Sequence, residues 1–394
     1  MEPGLLLKDR RRAERKIFIA ACCIHLLVAL LLSLGPETGD HPRYRIQAQT
    51  VLAGKNIYAH YPYYNYGPVW MYIVATAYAI SAEGMRTVVA LFLSLSACLA
   101  AMPVRKLYGF RVAILFLLSP LTLLLTGWFS MFDIMSFGLA LAALAYAVKH
   151  QGGDQPGLSG LSLKQCAVVG LLFGASLLVK HNFIFFLGWL FVATPGWQKK
   201  GVIIGLPTAL FLLSFLPYLP EGFAGIQDNV FAYKGMFNLP WLQLITPPAF
   251  LQKLLQIPQF DVYMKCIFFA SLIVSGWLLR KKNLREAFLW HTPLLLLFSP
   301  TLHVYYTFIP LLFLLHAPKR GYLLFTGSLL LFISLYHLGG QGGLGGRAYL
   351  GDGLLGKVAD WYIDYWSSIA IYILGFTMWD AARHKSLQQH LVPL

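Results

Sequence analysis

Charge is what this chain has least of. Only 12% of its 394 residues are charged, about half the roughly 25% of a soluble globular chain, while 58% belong to the hydrophobic class. A soluble core cannot hide that much apolar surface, so lipid must solvate most of it. Acidic residues are scarcer than basic ones, 16 against 31, which leaves a formal charge of +15. That excess does not mark a nucleic-acid binder. The Lys and Arg fall in short clusters between apolar runs, and no soluble domain carries a basic stripe with interleaved aromatics. Cysteine is sparse too. Cys22, Cys23, Cys98, Cys166 and Cys266 all sit inside apolar runs without ligand spacing, which reads as small buried hydrophobes and excludes a disulfide framework or a metal cluster. No A-x-A site follows the first apolar run, so that run is a transmembrane helix and not a signal peptide. Internal repeats and compositional breaks are also lacking, and 1–394 reads as one transmembrane domain. The glycine run GGQGGLGG lacks a following G-K-[ST] and a preceding strand, which leaves a mobile loop or a substrate lid in place of a phosphate cradle.

What is present is a succession of apolar runs: 17–35, 87–104, 112–132, 134–148, 165–179, 183–195, 201–219, 262–279, 287–298, 304–315, 321–338 and 361–379. Lipid offers the backbone no hydrogen-bond partners, so each run is predicted to be helical. The expected fold is all-α and polytopic, with about twelve spans. A thirteenth run, 67–82, is decided by charge. If it does not cross, 21 of the 31 Lys and Arg share the side of the N-terminus and 9 lie opposite, with Lys265 in a span. If it crosses, the excess reverses. The positive-inside bias selects the first arrangement, with both termini cytoplasmic and 67–82 a re-entrant or interfacial helix. The first outer loop then runs from about 36 to 86, and further outer loops lie at 220–261 and 339–360. The proline-rich 220–261 stretch reads as broken amphipathic pieces on the membrane surface.

The outer loops hold the residues able to do chemistry. Asp40 lies just beyond the first span, before a helical pattern over 42–53. A carboxylate there serves either as a general base, which an alcohol nucleophile needs at neutral pH, or as the N-cap of that helix. Arg43 and Arg45 are placed to meet lipid phosphates. Tyr58, Tyr61, Tyr63, Tyr64 and Tyr66 surround His60, as an interfacial aromatic belt or as a platform on which a sugar stacks. Asp133 starts a span, where an acid needs either a capping role or a partner in a site. Lys180 and His181 fall on the side that cations avoid. Either they have an anionic partner such as a phosphate, or they snorkel to headgroups. His303 occupies a comparable outer turn, as a satisfied interfacial histidine or a phosphate ligand.

Taken in order, these fragments resemble the GT-C class of membrane glycosyltransferases that use polyprenyl-phosphate-linked sugars. The likeness is nearest to the prokaryotic polyprenol-phosphate-mannose-dependent branch. Four pieces carry it. The first is Asp40 with Tyr44, Leu52-Ala53-Gly54 and the Tyr66-Gly67-Pro68 corner. The others are Gly127 to Asp133, Lys180 closing a helix, and Ser299-Pro300 followed by His303 and Tyr305-Tyr306. The chain departs from the class at Gly67 and in its Ser-Met-Phe-Asp stretch. The resemblance implies inverting transfer of a sugar, mannose in the nearest branch, from a polyprenyl-phosphate donor to a hydroxyl of a glycolipid or glycan acceptor. It makes Asp40 the base, Asp133 a supporting carboxylate, and Lys180 and His303 the donor-phosphate ligands, with no metal or other cofactor. His181 joins the phosphate ligands by position, and Arg43, Tyr44, Tyr66 and Tyr305 stand as substrate-binding candidates. The expected setting is the plasma membrane of a prokaryote, or the endoplasmic reticulum membrane of a eukaryote. The rival readings are a transporter or lipid-linked saccharide flippase, which would favour repeats and midplane polar groups, and a non-catalytic assembly subunit.

Overall fold

The computed structural model describes residues 3–37, 40–152, 155–231, 239–247, 250, 253–254, 256–299, 302, 304–338 and 353–383. Among them helix is the only regular secondary structure, and the one β-bridge is isolated, between Pro156 and Asn283. Each of the twelve apolar runs is mostly helical, and the chain is an all-α, polytopic membrane protein. Three helices among the described residues are long and apolar enough to cross a membrane alone: Asp9–Ser33, Met85–Tyr108 and Trp197–Phe231. Phe110–Leu118 and Pro120–Trp128, bent by 49° at their junction, are together long and apolar enough for a broken span or a re-entrant loop. Shorter apolar helices are Pro68–Ile80, Leu163–Val179, Val262–Leu278 and Tyr306–His316.

The chain divides into two compact units, Met1–Tyr233 with Gly276–Phe288, and Lys234–Ser275 with Leu289–Leu394. In the first, α1 (Pro3–Ser33) leads to α2 (His41–Leu52), the short α3 (Ile57–His60) and α4 (Pro68–Ile80), then α5 (Met85–Tyr108). The 13 residues of α4 rise about 20 Å, short of the ~30 Å hydrocarbon layer. Arg86 shows directly that the chain returns to the side it left. Its guanidinium donates to the carbonyls of Leu32 (3.2 Å), Gly35 and Pro36 (2.8 Å), so the end of α1 and the start of α5 lie together. The segment from Pro36 to Gly84 therefore makes no net crossing.

Polar contacts also sort the loops into two groups. Asn56 Nδ2 donates to Tyr218 O at 2.8 Å and Tyr72 meets Tyr218 through their hydroxyls at 2.6 Å, which joins the first outer loop to the start of 219–231. At the other end Arg105 pairs with Glu14 at 2.9 Å, Tyr108 donates to Arg285 O at 3.2 Å, and Lys199 donates to Ser159 O at 2.8 Å. Charge counting had made the same division. In the 220–261 stretch, expected as broken amphipathic pieces on the membrane surface, α12 (Leu219–Gly225) and a π turn Ile226–Phe231 are helical and continue the preceding span.

The bend within 110–128 has a local cause. Pro120 has no N–H to return to the Phe116 carbonyl and Leu121 N turns to Ser119 Oγ at 3.3 Å, so the ladder breaks, and the Leu117 carbonyl accepts from His25 Nδ1 of α1 at 2.8 Å. The chain then forms a π turn over Leu124–Trp128. Gly127 is needed there, since a Cβ would strike the backbone of Ala29.

After α8 (Asp133–His150), α9 (Leu163–Val179), α10 (Ile184–Ala193) and α11 (Trp197–Leu213) complete the first unit's main helices. In the second unit Lys319–Leu338 packs on Leu354–Arg383. Arg320 is paired with the buried Asp380, and Ser328 bonds Tyr362 at 2.7 Å. That last helix starts at Leu354, so 354–360 belongs to it and not to a loop, while the glycine run 339–346 lies outside the described residues.

Gly67 fixes how α4 meets α9. A Cβ on it would run into the backbone of Leu178, and no flexible side chain is there to yield. Gly67→Ala is expected to destabilise the protein by about 1–3 kcal/mol, the usual cost of overpacking. Thermal unfolding in detergent measures this, and an unchanged midpoint would show that the contact is not tight.

Candidate active site

The site grows from the facing ends of α8 and α9. Lys180 follows α9 in extended backbone (φ −155, ψ 132), and Asp133 opens α8. Lys180 Nζ lies 2.8 Å from Asp133 Oδ2, with both side chains almost wholly buried, 6% and 3% exposed. A serine pair stitches the helices just below. Ser136 Oγ and Ser176 Oγ are 2.8 Å apart, Ser176 Oγ donates to Ser136 O at 2.8 Å, and Ser136 Oγ donates to Lys180 O at 3.0 Å. The ammonium also faces the rings of Phe132 (5.1 Å) and Tyr66 (5.7 Å), a favourable placement for a desolvated cation. The carboxylate stands at the N-terminus of α8, where the helix dipole favours negative charge. Of the two readings for Lys180, an anionic partner such as a phosphate or snorkelling to headgroups, the structure shows an anionic partner, and it is a protein carboxylate 47 residues away.

The first outer loop closes on this pair through aromatic packing. Trp70 of α4 stacks on Phe132 at 4.2 Å, Tyr66 meets Phe132 edge-on at 4.7 Å, and Tyr44 of α2 meets Trp70 edge-on at 5.2 Å. Tyr44 also donates to Met131 Sδ at 3.5 Å. The tyrosine cluster is mostly neither belt nor sugar platform. Tyr58 donates to Tyr66 O at 2.9 Å, Tyr64 donates to Gly67 O at 2.8 Å and accepts from Met71 N at 3.0 Å, and both are buried. Burial pushes both phenols up, so they stay neutral donors that hold the Gly67 corner. Tyr63 remains exposed and Tyr66 partly so.

Asp40 occupies the N-cap position of α2 without capping through its side chain, which corrects the structural alternative. Its carboxylate pairs with Arg43 at 3.3 Å and keeps 16% exposure. It reaches the buried pair by way of its neighbour. His41 Nε2 lies 3.0 Å from Ser130 Oγ, three residues before Asp133. Arg45 pairs with Glu37 at 3.0 Å. His181 turns to a different neighbour, its ring 6.2 Å from that of Phe211, and its Nδ1 is buried without a hydrogen bond although the residue keeps some accessible surface. Among the predicted residues the structure therefore assembles Asp133, Lys180, Tyr66 and Tyr44, with Asp40 and Arg43 at the margin. His303 and the side chain of Tyr305 lie outside the described residues.

His41, Ser130, Arg86 and the Trp70–Phe132 stack escaped the sequence reading. His41 had one signal, its position beside Asp40. Ser130 had none, because its left-handed backbone (φ 52) is not written in a serine. Arg86 donates to Trp128 O at 3.0 Å as well as to the end of α1, a structural duty that an isolated loop arginine does not announce.

No known protein family and no curated protein matches the chain. Two solved structures are similar to it at 15% identity. ArnT from Cupriavidus metallidurans in the apo state has a TM-score of 0.44, covering 94% of this chain and 78% of that one. The same protein bound to undecaprenyl phosphate has a TM-score of 0.40, covering 93% and 78%.

Breaking one side of a buried pair strands the other charge. Lys180→Met alone is expected to cost about 3–5 kcal/mol, whereas Lys180→Met with Asp133→Leu should recover most of it. Thermal unfolding of the four-member cycle decides; a double variant as unstable as the single one would show that the pair does not act as a unit.

Acid should loosen the same region. Burial, with the Arg86 and Arg45 cations, holds the His41 imidazole down to about 3, and burial beside Lys180 holds His181 at about 4, against 6.5 for an ordinary histidine. The unfolded chain then binds more protons than the fold once the pH drops below about 6.5, so stability is lost as pH falls through that window toward 3–4. Melting temperature against pH should decline there for the wild type and less steeply for His181→Gln. Parallel curves would remove His181 from the account.

Proposed function

We propose that the chain is a membrane glycosyltransferase that moves a sugar from a polyprenyl-phosphate donor to an acceptor hydroxyl at the non-cytoplasmic face, with inversion. The motif resemblance motivates this reading. The observation that carries it is the buried Lys180–Asp133 pair at the loop end of two helices, roofed by the first outer loop. A cation kept in a low-dielectric site and fixed in place is suited to charge that grows during reaction.

The residues divide the work by exposure. Asp40 retains accessible surface and is the base: it takes the proton of the acceptor hydroxyl as that oxygen bonds to the anomeric carbon. The bond from that carbon to the donor phosphate oxygen breaks, and its electron pair leaves with the phosphate. Lys180 answers the charge appearing on that oxygen. Asp133 holds the ammonium in place and keeps it from collapsing onto other acceptors. His181 and His303 are the further phosphate ligands of this reading, and Arg43, Tyr44, Tyr66 and Tyr305 contact the substrates. The acceptor is a glycolipid or glycan, and mannose is the sugar that the nearest branch of the resemblance suggests.

Proteoliposomes supplied with polyprenyl-phosphate-mannose and a lipid-extract acceptor test the assignment. Asp40→Asn should fold normally and lose transfer by roughly 10²–10⁴-fold, the range of a general base. Wild-type turnover by that variant would take Asp40 out of the base role.

A further inference from the structure

The turn that precedes Asp133 is unusual. After the π turn ending at Trp128, Ser130 adopts φ 52, a left-handed conformation that side chains other than Gly, Asn and Asp rarely take. Such backbone persists only where its surroundings hold it. Within the turn Phe129 N donates to Leu124 O and Met131 N to Leu125 O, both at 2.8 Å. From outside, α2 grips it with two residues one turn apart: His41 on Ser130 Oγ (3.0 Å) and Tyr44 on Met131 Sδ (3.5 Å). Phe132 comes next, stacked on Trp70 and facing the Lys180 ammonium. Then comes Asp133 itself.

The two carboxylates of the site are thus tied together by a short path. Asp40 is the chain neighbour of His41, and Ser130 stands three residues from Asp133. Helix α2 has no side-chain cap at its start, so its first turn is fixed chiefly by what it touches. His41 and Ser130 Oγ are both buried, His41 at 5% and Ser130 at 0% exposure. The small cleft beside His41 is lined by Glu37, Arg45 and Arg86. Burial, with Arg86 and Arg45 beside it, keeps the ring neutral, which suits a fixed hydrogen bond and not a proton carrier.

We propose that His41 is a positioning residue, whose hydrogen bond to Ser130 latches the first outer loop to the Asp133 turn and so sets Asp40 against the Lys180–Asp133 pair. This rests on the glycosyltransferase reading for its consequence in rate, but the latch itself is a property of the fold. No proton passes through His41, and the acceptor proton goes to Asp40.

Two measurements on the full chain in proteoliposomes and detergent test it. In the transfer assay, His41→Phe and Ser130→Ala should each lower kcat roughly 10- to 100-fold, the scale of a small misplacement of reacting groups. KM for polyprenyl-phosphate-mannose should stay within about twofold. The double variant should be no worse than the poorer single one, because both remove one contact. His41→Gln, whose amide can reach the serine, should recover most of kcat, with the acid limb of the pH–rate profile unmoved. Losses that multiply in the double variant, or a His41→Gln enzyme as slow as His41→Phe, would overturn the proposal.

Hydrogen exchange supplies the arm that needs no activity. Ser130→Ala, a small change that keeps the fold, should speed exchange of the amides in 41–46 and 129–135 together, and unchanged exchange in both would overturn the latch. A wild-type protein that transfers no sugar while Ser130→Ala loosens both segments would defeat the enzyme reading and leave the latch standing.

Discussion

Burying a charge in a protein that already lives in lipid is costly, and the Lys180–Asp133 pair does so twice within 2.8 Å. The surroundings offset that cost in identifiable ways. The helix N-terminus favours the carboxylate, two ring faces favour the ammonium, and the serine pair below fixes the distance between α8 and α9 so that the charges meet without strain. Much of the nearby structure follows from keeping this pair dry. Gly67 lets α4 start against Leu178, two residues before Lys180. That places Tyr66 over the ammonium and Trp70 on Phe132.

The first outer loop is accordingly a lid built from helices, not a flexible connection. Arg86 ties its two ends together by bonding the end of α1 and the Trp128 carbonyl at once. Tyr58 and Tyr64 brace the Gly67 corner, and α12 supports the loop from the other side, where Gly222 and Gly225 allow it to lie on Asn56 and Tyr58. Each of these is a polar or close backbone contact. The loop therefore keeps its shape through directional bonds, in a region where apolar burial alone would allow it to slide along the interface.

The membrane class was legible because lipid leaves the sequence so few options: long apolar runs must be helices, and cations mark one side. The same charge count predicts that 67–82 does not cross, and the Arg86 contacts bring the two ends of its loop together. Asp133 and Lys180 were each visible as anomalies, an acid at depth and a cation on the sparse side. That they answer one another across 47 residues was not, because pairing depends on how two helix ends meet. For the same reason Asp40 looked like a cap for α2, when its side chain turns to Arg43. The Tyr-rich stretch shows a further limit. Composition leaves an aromatic belt and a sugar platform both open, yet the hydroxyls of Tyr58 and Tyr64 serve the backbone of their own loop. A left-handed serine and a histidine that grips it leave no pattern at all, since both effects belong to the folded turn.

The division between a buried carboxylate and an accessible one bears on how the proposed reaction is driven. A free lysine would bind a phosphate diester strongly at rest, and tight binding of the ground state does not lower a barrier. Lys180 is already neutralised by Asp133, so its attraction for a donor carrying one negative charge is muted. As the bond to the sugar breaks, the leaving phosphate gains a second charge and competes better for the same ammonium. The pair then acts as a spring set by charge: weak toward the substrate and stronger toward the departing group. Meanwhile the net charge of the enclosed site before reaction stays close to that of the donor alone. Asp40 has to remain outside this exchange, for a base drawn to Lys180 would be lost to the acceptor. In the proposed reaction its separate partner, Arg43, and its place on a helix gripped from below would keep the two carboxylates at different tasks.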